Sequence, residues 1–311
     1  MATIFEIFGP RKTEGVVGVE IEVEGRDLPA RGVRGWNVVP DGSLRNGGLE
    51  YVTKGAVTLQ ELSRHLDHLK ENFLLAGAVV AEAHRGSVHI HVNVQNKTPE
   101  QVFTTLFLWL MVESLWMERC GPTRNGNLFC MSSSASGEIL PWARQFLARH
   151  RDGNWFQLWQ RGKYSALNTD CIQNFGSIEF RTFPSSVVKE KVEGWAMWCT
   201  NLVEQGCKIN PDKLYTVWQE AMNNPRAFYE NIFGAETLRL ISDDDLLNHL
   251  EQGADAASDM LFIWEEHKAL TKKVGPAKAP FVPPPFFEDD APEPEDDDEE
   301  NDEDLDEDDE L

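Results

Sequence analysis

The chain alternates between two hydrophobic periods. Across residues 15–25, Val19, Ile21 and Val23 alternate with Glu20, Glu22 and Glu24. A period of two predicts a strand with one apolar and one acidic face. Residues 49–53 read as a short second strand, 78–84 as a third and 87–95 as a clearer fourth. In the fourth, Val88, Ile90, Val92 and Val94 oppose His89, His91 and Asn93. Residues 176–184, GSIEFRTFP, give a last strand that carries Glu179 and Arg181.

Helical signals lie between and after these strands. Thr58 and Glu61 form a capping box, so a helix should run to about Ala76 and stop at Gly77. Thr98-Pro99 starts another that reaches about Arg119 and is apolar enough to be buried. A helix over 141–151 follows a loop-like stretch, 120–137. Beyond the last strand the pattern predicts helices over about 187–205, 211–223, 225–233, 243–252 and 255–273. Gly206 and Gly253 are read as stop signals. Residues 276–285 are proline-rich.

Charge separates the tail from the rest. The 311 residues hold 29 Lys+Arg and 52 Asp+Glu, a formal charge of −23. Residues 288–311 carry 18 acids and no Lys or Arg, so the other 34 acids and 29 bases leave the body near −5. The organisation expected is a core over 1–205, a helical extension over 206–274 packed on it, a linker over 275–287 and a disordered acidic tail over 288–311. The longest apolar run, residues 102–112, is too short to span a bilayer. No secretory signal is visible. Five cysteines without a CxxC pair argue against a disulfide framework or zinc ribbon. A cytoplasmic protein without membrane or direct nucleic-acid contact is expected.

The candidate chemistry sits on the polar faces of the strands. Residues i and i+2 stand roughly 6.5–7 Å apart on one face, and adjacent strands about 4.8 Å apart. If the strands share a sheet, Glu20, Glu22, His89, His91, Glu179 and Arg181 could converge. Taken singly, a Glu-x-Glu-x-Glu strand is also a solvated face, and Glu179 with Arg181 also a surface ion pair. Glu24, at the end of the acidic face, is expected to be exposed. Carboxylates with imidazoles suit magnesium or manganese. No Walker or Rossmann glycine motif is present. An arginine beside clustered metals suits a phosphoryl group in transfer.

The ordered blocks GVEIEVEG (18–25), VVPDGSLRNGGLEYV (38–52), GSVHIHVNV (86–94), RGKYSALN (161–168) and GSIEFRTF (176–183) resemble the amidoligase family. These are carboxylate–amine ligases related to glutamine synthetase and glutamate–cysteine ligase. The resemblance spans about residues 15–205. It implies an α+β fold, a curved and mainly antiparallel sheet with helices on its outer face. It also implies a phage or bacterial source, hence a host cytoplasm if phage-encoded.

The activity implied is ATP- and Mg2+- (or Mn2+-) dependent amide formation through an acyl phosphate, from small-molecule or peptide carboxylates and amines. Carried over by residue, Glu20, Glu22, Glu50, His89 and Glu179 become metal ligands. Arg181 and Arg161 become catalytic. Lys163, Tyr164, Asn168, His91 and Arg181 become the groups that hold nucleotide phosphate or substrate. Asp41 and Ser43 fall in a matching turn. Two other classes stay open. One is a binding protein whose tail mimics nucleic acid and contacts a basic partner. The other is a metal-dependent hydrolase using the same site.

Overall fold

The computed structural model describes residues 2–45, 47–81, 84–153 and 164–274. The strands are β1 (Val17–Val23), β2 (Gly25–Arg26), β3 (Trp36–Pro40), β4 (Leu49–Thr53), β5 (Val79–Val80), β6 (Ser87–Asn93), β7 (Leu167–Asn168) and β8 (Ser177–Pro184). The helices are α1 (Ile4–Phe8), α2 (Leu59–Ala76), α3 (Pro99–Cys120), α4 (Ser133–Ser136), α5 (Ile139–Asp152), α6 (Cys171–Phe175), α7 (Lys189–Lys208), α8 (Leu214–Asn223), α9 (Pro225–Phe233), α10 (Ala235–Leu238) and α11 (Asp243–Val274). A 3-10 turn, Pro211–Lys213, leads into α8.

Six strands form one sheet in the order β3-β4-β1-β6-β8-β7, and every pairing in it is antiparallel. Period-two alternation divides its faces. Val19, Ile21, Val88, Ile90, Ile178 and Phe180 are fully or almost fully buried on one side. Helix α3 packs there: Trp109 and Trp116 meet Phe180 with ring centroids 5.6 and 5.5 Å away. Phe183 stacks on Trp195 of α7 at 4.9 Å. Each wholly buried side chain of this size contributes roughly 1.5–3 kcal/mol over exposure. This is why α3, apolar nearly all round, lies in the centre with α5, α7 and α11 also against it.

The capping signals are realised. Thr58 Oγ1 accepts from Glu61 N at 3.2 Å, and Glu61 Oε2 accepts from Thr58 N at 2.9 Å. Thr98 and Gln101 repeat the box before Pro99. Gly77 ends α2 at φ 64°.

Several expectations are corrected. The strand expected over 78–84 shrinks to Val79–Val80, which pairs with β2 in a separate two-stranded sheet and is exposed. Residues 36–40, where no strand is expected, form an edge strand, because β4 supplies backbone partners that a local pattern does not show. Helix α1 was likewise unforeseen; its Thr3–Glu6 capping box is local, but Ile4 is buried only through the tertiary fold. Glu24 is buried at 8% exposure, and its carboxylate accepts from Arg45 N at 2.9 Å.

Gly206 and Gly253 do not stop helices. Helix α7 continues to Lys208, and the two helices expected over 243–273 are the single 32-residue α11. A Cβ at Gly253 would stand 2.3 Å from the Leu110 carbonyl oxygen, and one at Gly206 would stand 2.5 Å from Thr105 Cα. Both glycines are sites where another helix presses against α3. Thr104 Oγ1 donates to the Gly206 carbonyl at 2.7 Å across one of these contacts.

This sets the sign of a substitution. An exposed helix interior gains about 1 kcal/mol from Gly→Ala. At Gly253 the added methyl meets immobile backbone, so Gly253→Ala should destabilise by roughly 1–3 kcal/mol. Urea unfolding followed by circular dichroism measures it; a stabilised variant would mean that the α3–α11 approach is not as close as described.

Candidate functional site

The polar face of the sheet gathers the ionisable residues. Register explains how. Glu20 on β1 pairs with His89 on β6, and Glu22 pairs with Glu50 on β4. His91 pairs with Glu179 on β8, which pairs on its other side with Asn168 on β7. Five adjacent strands thus place seven polar groups side by side. Most are withdrawn from solvent: His89 and Glu179 are each 3% exposed.

One irregularity matters. Val88 pairs with Phe183 but Ile90 pairs with Phe180, so two residues of β8, Arg181 and Thr182, oppose the single His89. This is a β-bulge, which re-aims side chains by adding a residue to one strand. Thr182 turns into the core, where Trp116 Nε1 donates to its hydroxyl at 2.9 Å. Arg181 stays on the polar face, and its Nη1 donates to Glu179 Oε1. Behind the bulge lies Arg124, 1% exposed, which donates to the carbonyls of Arg181 at 2.7 Å and Thr182 at 3.2 Å. A loop arginine that supports a strand from behind has no sequence signature.

His89 sits at the centre. Its Nδ1 lies 3.1 Å from Glu20 Oε2 and 3.4 Å from Glu179 Oε1; its Nε2 lies 2.7 Å from Ser87 Oγ. Ser87 has one hydroxyl proton, which it donates to Glu22 Oε2 at 2.6 Å. Ser87 Oγ must therefore accept from His89 Nε2–H. A neutral imidazole then carries its lone pair on Nδ1, facing two carboxylates. That arrangement is repulsive unless a second proton or a cation lies between. A serine that fixes the far nitrogen while the near one faces carboxylates is the usual support of a metal-ligating histidine.

His91 reinforces the case. Its Nδ1 is 3.2 Å from Ser177 Oγ, and its Nε2 lies 3.2 Å from Glu20 Oε1 and 4.0 Å from Glu179 Oε1. The buried Nε2 makes no well-formed hydrogen bond. Among the described residues, two groups bring three potential ligands together with ligand atoms within 4.8 Å: Glu20, His89 and Glu179, and His91, Cys171 and Glu179. The donors fit a divalent cation: carboxylate oxygens with one or two imidazole nitrogens.

The titration behaviour follows from this crowding. Burial pushes the Glu20 carboxyl up, but the neighbouring His89 and His91 imidazoles outweigh it and hold the group well below the usual range. Burial also opposes ionisation of Glu179, whose pKa is nevertheless lowered by His91, His89 and Arg181. The His91 pKa is raised: burial works against it, and Glu20 and Glu179 prevail. No cation among the described residues offsets the charge of Glu50. Burial first, then repulsion from Glu20, Glu22 and Asp41, pushes its carboxyl up to about 7.

The other predicted residues are placed as follows. Asn168 Nδ2 donates to Glu179 Oε2 at 2.6 Å, so its amide holds the carboxylate. Tyr164 is exposed and its ring faces Phe129 at 6.4 Å. Asp41 Oδ1 accepts from Ser43 N at 2.7 Å, closing the turn before β4. Arg161 and Lys163 lie outside the described residues. Sequence reasoning missed Ser87, Cys171 and Arg124. Ser87 was within reach of the reading, since it shares the His89 face two residues away on the same strand.

The site is thus a largely buried cluster of carboxylates and imidazoles on an antiparallel sheet, a donor set that could hold a divalent cation. Comparison with known families then gives the class. Residues 51–203 match the family model described as "Putative amidoligase enzyme", and this match supports the amidoligase family for that stretch of the chain. The family suggests an enzyme that forms amide bonds. The matched stretch contains His89, His91, Asn168, Glu179 and Arg181; Glu20, Glu22 and Glu50 join them through the pairing of β1. No curated protein matches the chain. No helix among the described residues is long and apolar enough to cross a membrane.

The raised Glu50 pKa has a sign. A carboxyl whose folded pKa lies above its unfolded value favours the folded state only while protonated. Its contribution is thus lost as pH rises from about 4.5 to about 7 and stays lost above. In metal-free protein, Glu50→Gln should melt above wild type at pH 8 and converge with it near pH 5. Differential scanning fluorimetry across that window tests this; identical melting curves at pH 8 would show that Glu50 is not crowded.

Proposed function

We propose that the protein is an ATP- and Mg2+-dependent carboxylate–amine ligase that works through an acyl phosphate. A free carboxylate resists attack by an amine because oxide is a poor leaving group. Transfer of the ATP γ-phosphoryl group to that carboxylate supplies phosphate as the leaving group. The amine then forms the amide, with release of phosphate and ADP. The observation that carries this reading is His89 Nδ1, set between the Glu20 and Glu179 carboxylates beside the Arg181 guanidinium.

The residues divide by chemistry. Glu20, His89 and Glu179 would hold one divalent ion, which supplies charge neutralisation to phosphate oxygens. Glu22 and Glu50, cross-strand neighbours, would hold a second nearer the substrate carboxylate. Arg181 offers a planar fork able to bind two phosphoryl oxygens, and it is directed by the bulge and by Arg124. Arg161, Lys163 and Tyr164 are proposed to extend the phosphate and substrate contacts. The sheet is proposed to be the curved platform of the glutamine-synthetase-like fold, with ATP on its polar face. The helices over 206–274 are proposed as an extension of the catalytic core, and the acidic tail is proposed to contact a basic protein.

Arg181→Lys keeps a positive charge and loses the fork, so turnover should fall by roughly tenfold for each 1.4 kcal/mol of transition-state stabilisation lost. Nucleotide affinity should change less. Glu179→Gln removes a ligand charge, so its Mg2+ requirement should rise as well. Phosphate release from ATP, with paired panels of acids and amines across a magnesium series, measures both. Equal and undiminished release in the two variants, or release independent of both acid and amine, would overturn the ligase reading.

A further inference from the structure

Cys171 has no part in the chemistry above, yet its side chain joins the polar face. It opens α6, three residues after Asn168 of β7. Its Sγ–H donates to Glu179 Oε2 at 3.3 Å, and its sulfur accepts from Asn168 Nδ2 at 3.5 Å. The contrast is Cys199, which lies at 0% exposure within the hydrophobic core. A second observation points to the same place. The His91 ring is held through Nδ1 by Ser177, while its buried Nε2 lacks a well-formed hydrogen bond.

We propose that His91, Cys171 and Glu179 form a second cation position, selective for a thiophilic divalent ion such as Zn2+, which shares Glu179 with the Glu20–His89 position. One ligand atom from each residue already lies within 4.8 Å of the others. Ligand atoms around a tetrahedral zinc are about 3.3–3.8 Å apart, given bonds of roughly 2.0–2.3 Å, so small side-chain rotations complete the site. Thiolate sulfur favours zinc over magnesium, which takes oxygen. On binding, the thiol proton passes to solvent and the sulfur becomes a ligand. Three protein ligands leave a fourth position for water or a phosphate oxygen.

The consequence is competition. Glu179 cannot serve both positions with full geometry, and it also holds Arg181. Zinc at the cysteine position therefore withdraws Glu179 from the magnesium side and holds the enzyme inactive. Only this effect on turnover rests on the ligase reading; the binding itself does not.

The test is a Co2+ titration of the metal-stripped full-length protein in excess Mg2+. One equivalent should produce thiolate-to-cobalt charge-transfer absorption, and Zn2+ should abolish it. Cys171→Ser should lose the absorption and weaken Zn2+ binding at least tenfold, while Glu20→Gln should retain it. Should the serine variant fold poorly, zinc-edge X-ray absorption of wild-type protein decides: one sulfur at about 2.3 Å is expected. A shell of nitrogen and oxygen alone, absorption that persists in Cys171→Ser, or absorption lost with Glu20→Gln would overturn the proposal. Neither measurement uses nucleotide, so a failed ligase assay leaves the result standing.

Discussion

The constraint on which the site depends is the crowding of four carboxylates on one face of a sheet. Glu20, Glu22, Glu50 and Glu179 come from β1, β4 and β8, and the first three are on adjacent paired strands. Half-buried carboxylates repel each other, and burial alone raises the cost of each charge. The protein meets this with His89, His91 and Arg181 interleaved between them. Where that compensation stops, at Glu50, the carboxyl resists ionisation. Such a face is poised to accept cations, because each one bound relieves repulsion already present in the fold.

Holding this face requires rigidity behind it. The apolar side of the same strands is locked by Trp109, Trp116, Phe180 and Phe183. Polar residues then orient the active groups from the flanks. Ser87 links Glu22 to His89, Asn168 holds Glu179, and Arg124 grips the backbone of the bulge from which Arg181 projects. The carbonyls opened by the bulge are thus satisfied by a buried guanidinium rather than left bare. Orientation by such partners is as much a part of a metal-type site as the ligands are.

Glu179 is the pivot of the arrangement. It contacts His89, Asn168, Cys171 and Arg181, and it belongs to both groups of potential ligands. Glu179 is thus the one carboxylate common to a hard and a soft set of potential ligands among the described residues. The amidoligase match covers this half of the site, so the shared carboxylate lies within the family's own region.

Local pattern was enough for β1, β4, β6 and β8, for the helix starts at Thr58 and Thr98 and for Glu20, Glu22, His89, His91, Glu179 and Arg181 as one candidate set. Period two assigns a face to each residue, and capping chemistry involves neighbours three positions apart; both are written within a few residues. Gly253 and Gly206 were misread, because a helix stop and a close helix contact use the same residue and differ only in what lies opposite. The edge strand at Trp36–Pro40, the bulge at Arg181–Thr182, and the roles of Arg124 and Cys171 were equally beyond local reading. Each depends on a partner eight or more residues away, or on strand register, or on a loop returning beside β8. Sequence alone determined which chemistry each strand carries; tertiary structure decided which groups share a neighbour, because contact between distant residues is set by pairing and packing, not by local pattern.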